Sequence, residues 1–103
     1  MLDLNQFIGF DWDQGNKDKN CLKHKVTNHE CEEIFFNQPL LVIPDPKHSQ
    51  IEARYYALGK TNHNRLLFIS FTARKRLIRV ISVRSISKRE KLSYEKFEKN
   101  SSI

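Results

Sequence analysis

Three apolar segments follow one another in the second half of the chain with only short, turn-forming gaps between them, and this spacing constrains the fold more than any other feature. Segments 52–58, 66–72 and 77–84 carry β-branched and aromatic residues at strand spacing. The gaps are residues 59–64, rich in Gly, Asn, Thr and Lys, and the turn Ala73-Arg74-Lys75. Gaps so short leave no room for a crossover helix, so the strands are expected to run as an antiparallel meander. Alternation in the first segment places Glu52, Arg54 and Tyr56 on one face and Ala53, Tyr55 and Ala57 on the other. Upstream, Leu40 to Ile43 is a continuous apolar run, as in a strand buried on both faces or a core segment, ended by Pro44-Asp45-Pro46.

Helix signals flank these strands. Thr27 and Glu30 form a T-x-x-E capping box, with Val26 and Cys31 at the two positions of a hydrophobic staple and Ile34 and Phe35 extending the buried face. Asn37, Gln38 and Pro39 stop that helix. Ser87 and Glu90 make a second box, opening a C-terminal helix to about Glu98 with Leu92, Tyr94 and Phe97 available to pack. A weaker first helix is expected from Asp13 to about Lys25, after an aromatic extended segment at residues 7–12. Gly15 costs that helix roughly 1 kcal/mol, and its face of Lys17, Asn20, Cys21 and His24 is polar. The expected architecture is therefore α+β. One domain spans residues 1–103, with a core at about 7–98 and frayed termini, in which two N-terminal helices and one C-terminal helix pack on a mainly antiparallel sheet.

Charge is segregated along the chain. Up to Gly59 there are six Lys and Arg against nine Asp and Glu, whereas residues 60–91 hold ten against one. Clustered positive charge on strands points to a polyanion, nucleic acid ahead of a membrane, because no amphipathic helix carries it. No run of 18 apolar residues and no basic-then-apolar leader is present, so a cytoplasmic protein without membrane attachment is expected. Cys21 and Cys31 are accordingly expected as thiols.

Arg74, Lys75, Arg76, Arg79 and Arg84 interleave with Phe71, Leu77, Ile78, Val80 and Ile81, so guanidinium groups stand on an apolar sheet with Tyr55, Tyr56 and Phe68 as stacking surfaces. Arg79 and Arg84 are an odd number of residues apart and without a bulge would face opposite ways. Cleaving RNA without a metal needs a base for the 2′-hydroxyl, an acid for the leaving 5′-oxygen and cations for the phosphate charge. Glu52 or His24 could take the first proton and His24 or Tyr94 return one, while Arg54, Arg74, Arg79 and Arg84 hold the phosphate. Against this, the same arginines could only grip phosphate or a partner protein without catalysis, and Glu52 and Arg54 could simply pair with neighbouring strands. Cys21, His24, His29 and Cys31 offer four zinc donors, but their C-x2-H-x4-H-x-C spacing matches no standard zinc module, and no metal or other cofactor is expected.

The series Phe10-Asp11-Trp12-Asp13, Lys17, Asn20, Lys23-His24-x-Val26-Thr27, Asp45-Pro46 with His48, Glu52-x-Arg54, Gly59, Phe71-Thr72-x-Arg74, Arg79-x-Ile81-Ser82-x-Arg84, and Glu90 with Tyr94 resembles the BrnT toxins of type II toxin–antitoxin pairs. The resemblance implies a RelE-like fold with helices on one side of the sheet. It also implies a metal-independent endoribonuclease that degrades mRNA and so inhibits translation. The partner it implies is a BrnA-like antitoxin whose ribbon-helix-helix part binds operator DNA, so that the toxin meets operator DNA only through the antitoxin. Lys23, His24, Glu52, Arg54, Arg74, Arg79 and Arg84 match the family pattern, and Lys75, Arg76 and Tyr94 join Lys23 as expected RNA contacts. The chain departs from that pattern at Asn28, at residues 29–33 and at Val83.

Overall fold

Strand propensity and turn chemistry produce one five-stranded sheet. The computed structural model describes residues 3–101, and at residues 20–22 the backbone alone. Its elements are β1 (Gly9–Phe10), α1 (Lys19–His24), α2 (Asn28–Phe36), β2 (Leu41–Pro44), β3 (Arg54–Lys60), β4 (Leu66–Arg74), β5 (Leu77–Ser85) and α3 (Lys88–Ser101), with 3-10 turns at Leu4–Gln6 and Pro46–His48. The strand order is β1-β5-β4-β3-β2. The meander β3-β4-β5 and the β2-β3 pair are antiparallel, but β1 joins β5 in parallel, so the sheet is mixed.

Both capping boxes form. Glu30 N–H donates to Thr27 Oγ1 at 3.1 Å while Thr27 N–H donates back to Glu30 Oε1 at 3.0 Å. At α3 the reciprocal pair is Glu90 N–H to Ser87 Oγ, 3.2 Å, and Ser87 N–H to Glu90 Oε1, 2.8 Å. The expected first helix shrinks to the six residues of α1, leaving α2 and α3 as the two helices of substance. Asp13 closes a tight turn instead, accepting from Gly15 N–H at 2.7 Å, and Asp18 at φ 59° lies in the left-handed region that breaks a helix.

Register shows what lies on each face. Ala57, Ile69, Val83 and Phe71, Val80 are cross-strand neighbours on one face and bury with Val26, Cys31 and Ile34 of the α1–α2 region as the main core. Gly59 lets α2 approach: a Cβ there would stand 3.1 Å from Ile34 Cβ and from Leu40 Cδ1. The opposite face carries Arg54, Tyr56, Leu58 and Lys60 of β3. There α3 lies against the strand, tied by Lys60 Nζ to Glu98 at 2.9 Å and by Arg84 to Glu90 at 2.7 Å. The expectation of helices on one side is thus corrected: α3 crosses to the other face. A second correction concerns residues 40–43. β2 is an edge strand with Ile43 43% exposed, since nothing pairs beyond it in the sheet.

The β4–β5 ladder contains a bulge. Ser70 pairs with Ser82 and Phe71 with Val80, so Ile81 is an extra residue that shifts the parity of everything after it. Arg79 opposes Thr72 and Arg84 opposes Phe68, four residues apart on β4. The two arginines therefore share the face that their odd spacing alone would have denied them.

Candidate active site

Arg54, Thr72 and Arg79 are direct neighbours across β3, β4 and β5, which sets the two arginine Cα atoms roughly 10 Å apart. Arg74 follows Thr72 on the same face, and Glu52 precedes β3. These side chains line a cleft of about 190 Å³ with Gly15, Asn16 and Lys19. It continues into an open groove of about 420 Å³ lined by Lys47, His48, Gln50 and Ile51 together with Glu52, Arg54 and Arg74. Thr72, buried, donates its hydroxyl to Ala53 O at 2.7 Å and so pins the entry to β3.

The arginines are held differently. Arg74 forms a two-point pair with Glu52, both distances 3.1 Å. Arg79 forms one with Asp13 at 2.9 and 3.0 Å and stands 3.5 Å from Asp11. Those hydrogen bonds hold the Glu52 and Asp13 carboxyls below the usual carboxylate range, and the charges of Arg54 and Arg79 add to the effect at Glu52. Arg54 is different. Its backbone N–H donates to Ser49 Oγ at 2.9 Å, but among the described residues no hydrogen bond or ion pair engages its guanidinium. Of the three arginines lining the cleft it is the one left free to take an incoming phosphate at two points.

A loop supports Arg79 from below. Asn16, buried, donates to Asp11 O at 2.9 Å and to Val80 O at 3.1 Å, the carbonyl beside the bulge, and accepts from Asp13 N–H at 2.8 Å. A Cβ on Gly15 would come within 3.2 Å of Arg79 Nη2.

Other expected site residues lie elsewhere. Arg84 shares the face but sits roughly 13 Å along the sheet from Arg79. Its guanidinium grips Glu90 at two points of 2.7 Å and lies 4.2 Å above the Phe68 ring, an attachment for α3. His24 ends α1, where its carbonyl accepts from Arg65 Nη2 at 3.2 Å. His24 lines neither the cleft nor its continuation. Lys23 neighbours it, exposed, on that same helix. Tyr94 is 1% exposed and donates its hydroxyl to Pro39 O at 2.6 Å; burial pushes its phenol up to about 12. It is a packing residue with no access to a substrate. Tyr55 stacks on Phe71 in the core, 5.5 Å between rings, because its parity is that of Ala57. Lys75 and Arg76 form the two-residue tip of the β4–β5 hairpin with φ of 50° and 65°, next to Arg74, and Arg76 Nε donates to Gln6 O at 3.1 Å. The basic segment thus divides between one cleft, one hairpin tip and several attachments.

For the zinc arrangement, Cys31 is buried in the main core, where desolvation raises its thiol to about 12, and His29 is exposed beside Glu33. The Cys21 side chain lies outside the described residues. A separate apolar hollow of about 210 Å³ by β1, lined by Phe7, Ile8, Phe35 and Phe36 among others, offers no titratable side chain.

Asn16, Lys19 and Lys47 escaped the sequence reading, and His48 entered it only as part of the family series. Asp45, 4% exposed, accepts from His48 Nδ1 at 2.8 Å and from the Tyr56 hydroxyl. The Asp-Pro-x-His spacing around a tight turn was the available signal.

Among the described residues no helix is long and apolar enough to cross a membrane. No curated protein matches the chain. The family model described as the ribonuclease toxin BrnT of type II toxin–antitoxin systems matches residues 12–90, a span that holds every strand from β2 to β5 and the whole arginine cleft. The chain belongs to the BrnT family of type II ribonuclease toxins.

Proposed function

We propose that the chain is a cytoplasmic, RelE-like endoribonuclease that cuts mRNA by metal-independent attack of the 2′-hydroxyl on the adjacent phosphate, and is neutralised by a BrnA-like ribbon-helix-helix antitoxin. The observation that carries this reading is the unengaged Arg54 guanidinium beside the Glu52 carboxylate, with Arg74 and Arg79 flanking them. Arg54 binds the scissile phosphate, and the neighbouring guanidiniums stabilise the charge that gathers on its oxygens. Glu52, kept ionised by Arg74, is the acceptor for the 2′-hydroxyl proton. Lys75 and Arg76, at the hairpin tip, contact the RNA strand beyond the cleft. The basic cleft also suits an acidic antitoxin segment, so one surface serves both partners in turn.

The test is incubation of the purified chain with RNA in excess chelator. Fragments ending in a 2′,3′-cyclic phosphate and a 5′-hydroxyl are expected, together with loss of cleavage in Glu52→Gln and Arg54→Ala and protection by the antitoxin. Growth arrest with intact RNA would leave a binding module in place of an enzyme.

A further inference from the structure

The mechanism above lacks a proton donor for the leaving oxygen, since neither His24 nor Tyr94 lines the cleft or the groove and arginine does not give up its proton. Of the side chains lining the cleft and the groove beside Arg54, His48, Lys47 and Lys19 can donate. Lys47 and Lys19 are exposed, and among the described residues no hydrogen bond or ion pair fixes either ammonium. His48 is fixed from two directions. Its Nδ1 lies 2.8 Å from Oδ2 of Asp45, whose side chain is 5% exposed while that of His48 is 52% exposed. The turn that carries it is clamped to Arg54: Asp45 N–H donates to Arg54 O at 2.9 Å, Ser49 Oγ donates to Asp45 O at 2.6 Å, and Arg54 N–H donates to Ser49 Oγ at 2.9 Å. Both backbone polar groups of Arg54 are thus bonded to the turn that carries His48.

An acceptor at Nδ1 fixes the tautomer and leaves Nε2 as the working nitrogen. Burial works to raise the Asp45 carboxyl, but the hydrogen bonds from Tyr56 and His48 outweigh it and hold the group below its ordinary value, so a buried negative charge stands behind the imidazole. Around the groove the other charged groups are Lys47, Glu52, Arg54 and Arg74.

We propose that His48 is the general acid of this ribonuclease, positioned by Asp45 and, behind it, Tyr56. The assignment rests on the 2′-hydroxyl mechanism given above. As the 2′-oxygen bonds to phosphorus and yields its proton to Glu52, the bond from phosphorus to the 5′-oxygen breaks, and that oxygen takes the proton from His48 Nε2. The products are the cyclic phosphate and a free 5′-hydroxyl, with Glu52 protonated and His48 neutral.

Two substrates separate an acid from a structural residue: an RNA oligonucleotide, and uridine 3′-(4-nitrophenyl phosphate), whose nitrophenolate leaves without protonation. His48→Ala should lower RNA cleavage by about 10²- to 10⁴-fold while the nitrophenyl ester is cleaved at close to the wild-type rate. Asp45→Asn should show the same split, smaller. Binding of a 2′-O-methyl oligonucleotide by His48→Ala should match wild type, and its thermal melt should stay cooperative, lowered only by the lost hydrogen bond to Asp45. Equal losses on both substrates in His48→Ala, or RNA cleavage within a few-fold of wild type, would overturn the assignment with the ribonuclease reading intact. A wild-type chain that cleaves neither substrate would overturn both.

Discussion

Arg54 and Arg79 are adjacent in space but bound into the molecule in different ways, and their substitutions should differ accordingly. Arg54→Ala removes a guanidinium that holds nothing in the free protein. Cleavage is expected to fall about 10²- to 10³-fold, while the melting temperature moves by less than about 4 °C. Arg79→Ala leaves Asp13 and Asp11 facing one another without their common partner, so activity and melting temperature should fall together; kinetics alongside thermal melts on both variants check the contrast. At this scale the sequence was partly legible. Glu52 and Arg54 were readable on one face because strand alternation pairs residues two apart, whereas their meeting with Arg74 and Arg79 was not, because it depends on the register across β3, β4 and β5. The pairing of Asp45 with His48 was not, because it depends on a tight turn that brings residues three apart onto one side.

Glu90 shows how an element is fastened by one side chain. It completes the α3 capping box and receives Arg84, and the Arg84 hydrogen bonds are the first cause of a carboxyl lowered to about 2. In the unfolded chain the group titrates near 4.3. Unfolded molecules therefore take up the proton first as pH falls, so the stability Glu90 supplies is complete above about pH 4.3 and is lost on descending toward about 2. Glu90→Gln should flatten that part of the acid-denaturation curve and lower neutral-pH stability by about 1–2 kcal/mol, since a half-exposed ion pair adds little beyond the cap. Both capping boxes were legible, being local and short. The bulge at Ile81 was not: Val80, Ile81, Ser82 and Val83 form an unbroken strand-like run with no Gly or Pro to mark it. Nor was the side taken by α3, although Ala57 and Leu58, adjacent and both buried, show that β3 is covered on both faces.

Over the whole molecule, half of the ten cations of residues 60–91 are spoken for: Lys60, Arg65, Arg74, Arg79 and Arg84 all face acidic partners. RNA binding should therefore respond to salt less than net charge suggests. A logarithmic slope of about −1 to −3 is expected, and Arg54→Ala should reduce its size by roughly 0.7, one phosphate on a single strand; titration of a 2′-O-methyl oligonucleotide at several ionic strengths measures both. Segregated charge was visible in the sequence, but its neutralisation was not, because Asp11, Asp13, Glu30, Glu52 and Glu98 come from outside that segment and only the fold brings them over. At the hairpin tip no acidic partner is present among the described residues. Lys75 and Arg76 hold a conformation that favours Asn-Gly, and Lys75→Asn with Arg76→Gly should raise stability by about 1–2 kcal/mol while weakening RNA binding. On the proposed RNA-contacting role of that tip, the most rigid version of this hairpin would be the worse toxin: its outermost loop would keep two awkward cations where a sturdier pair was open to it, robustness giving way there to reach.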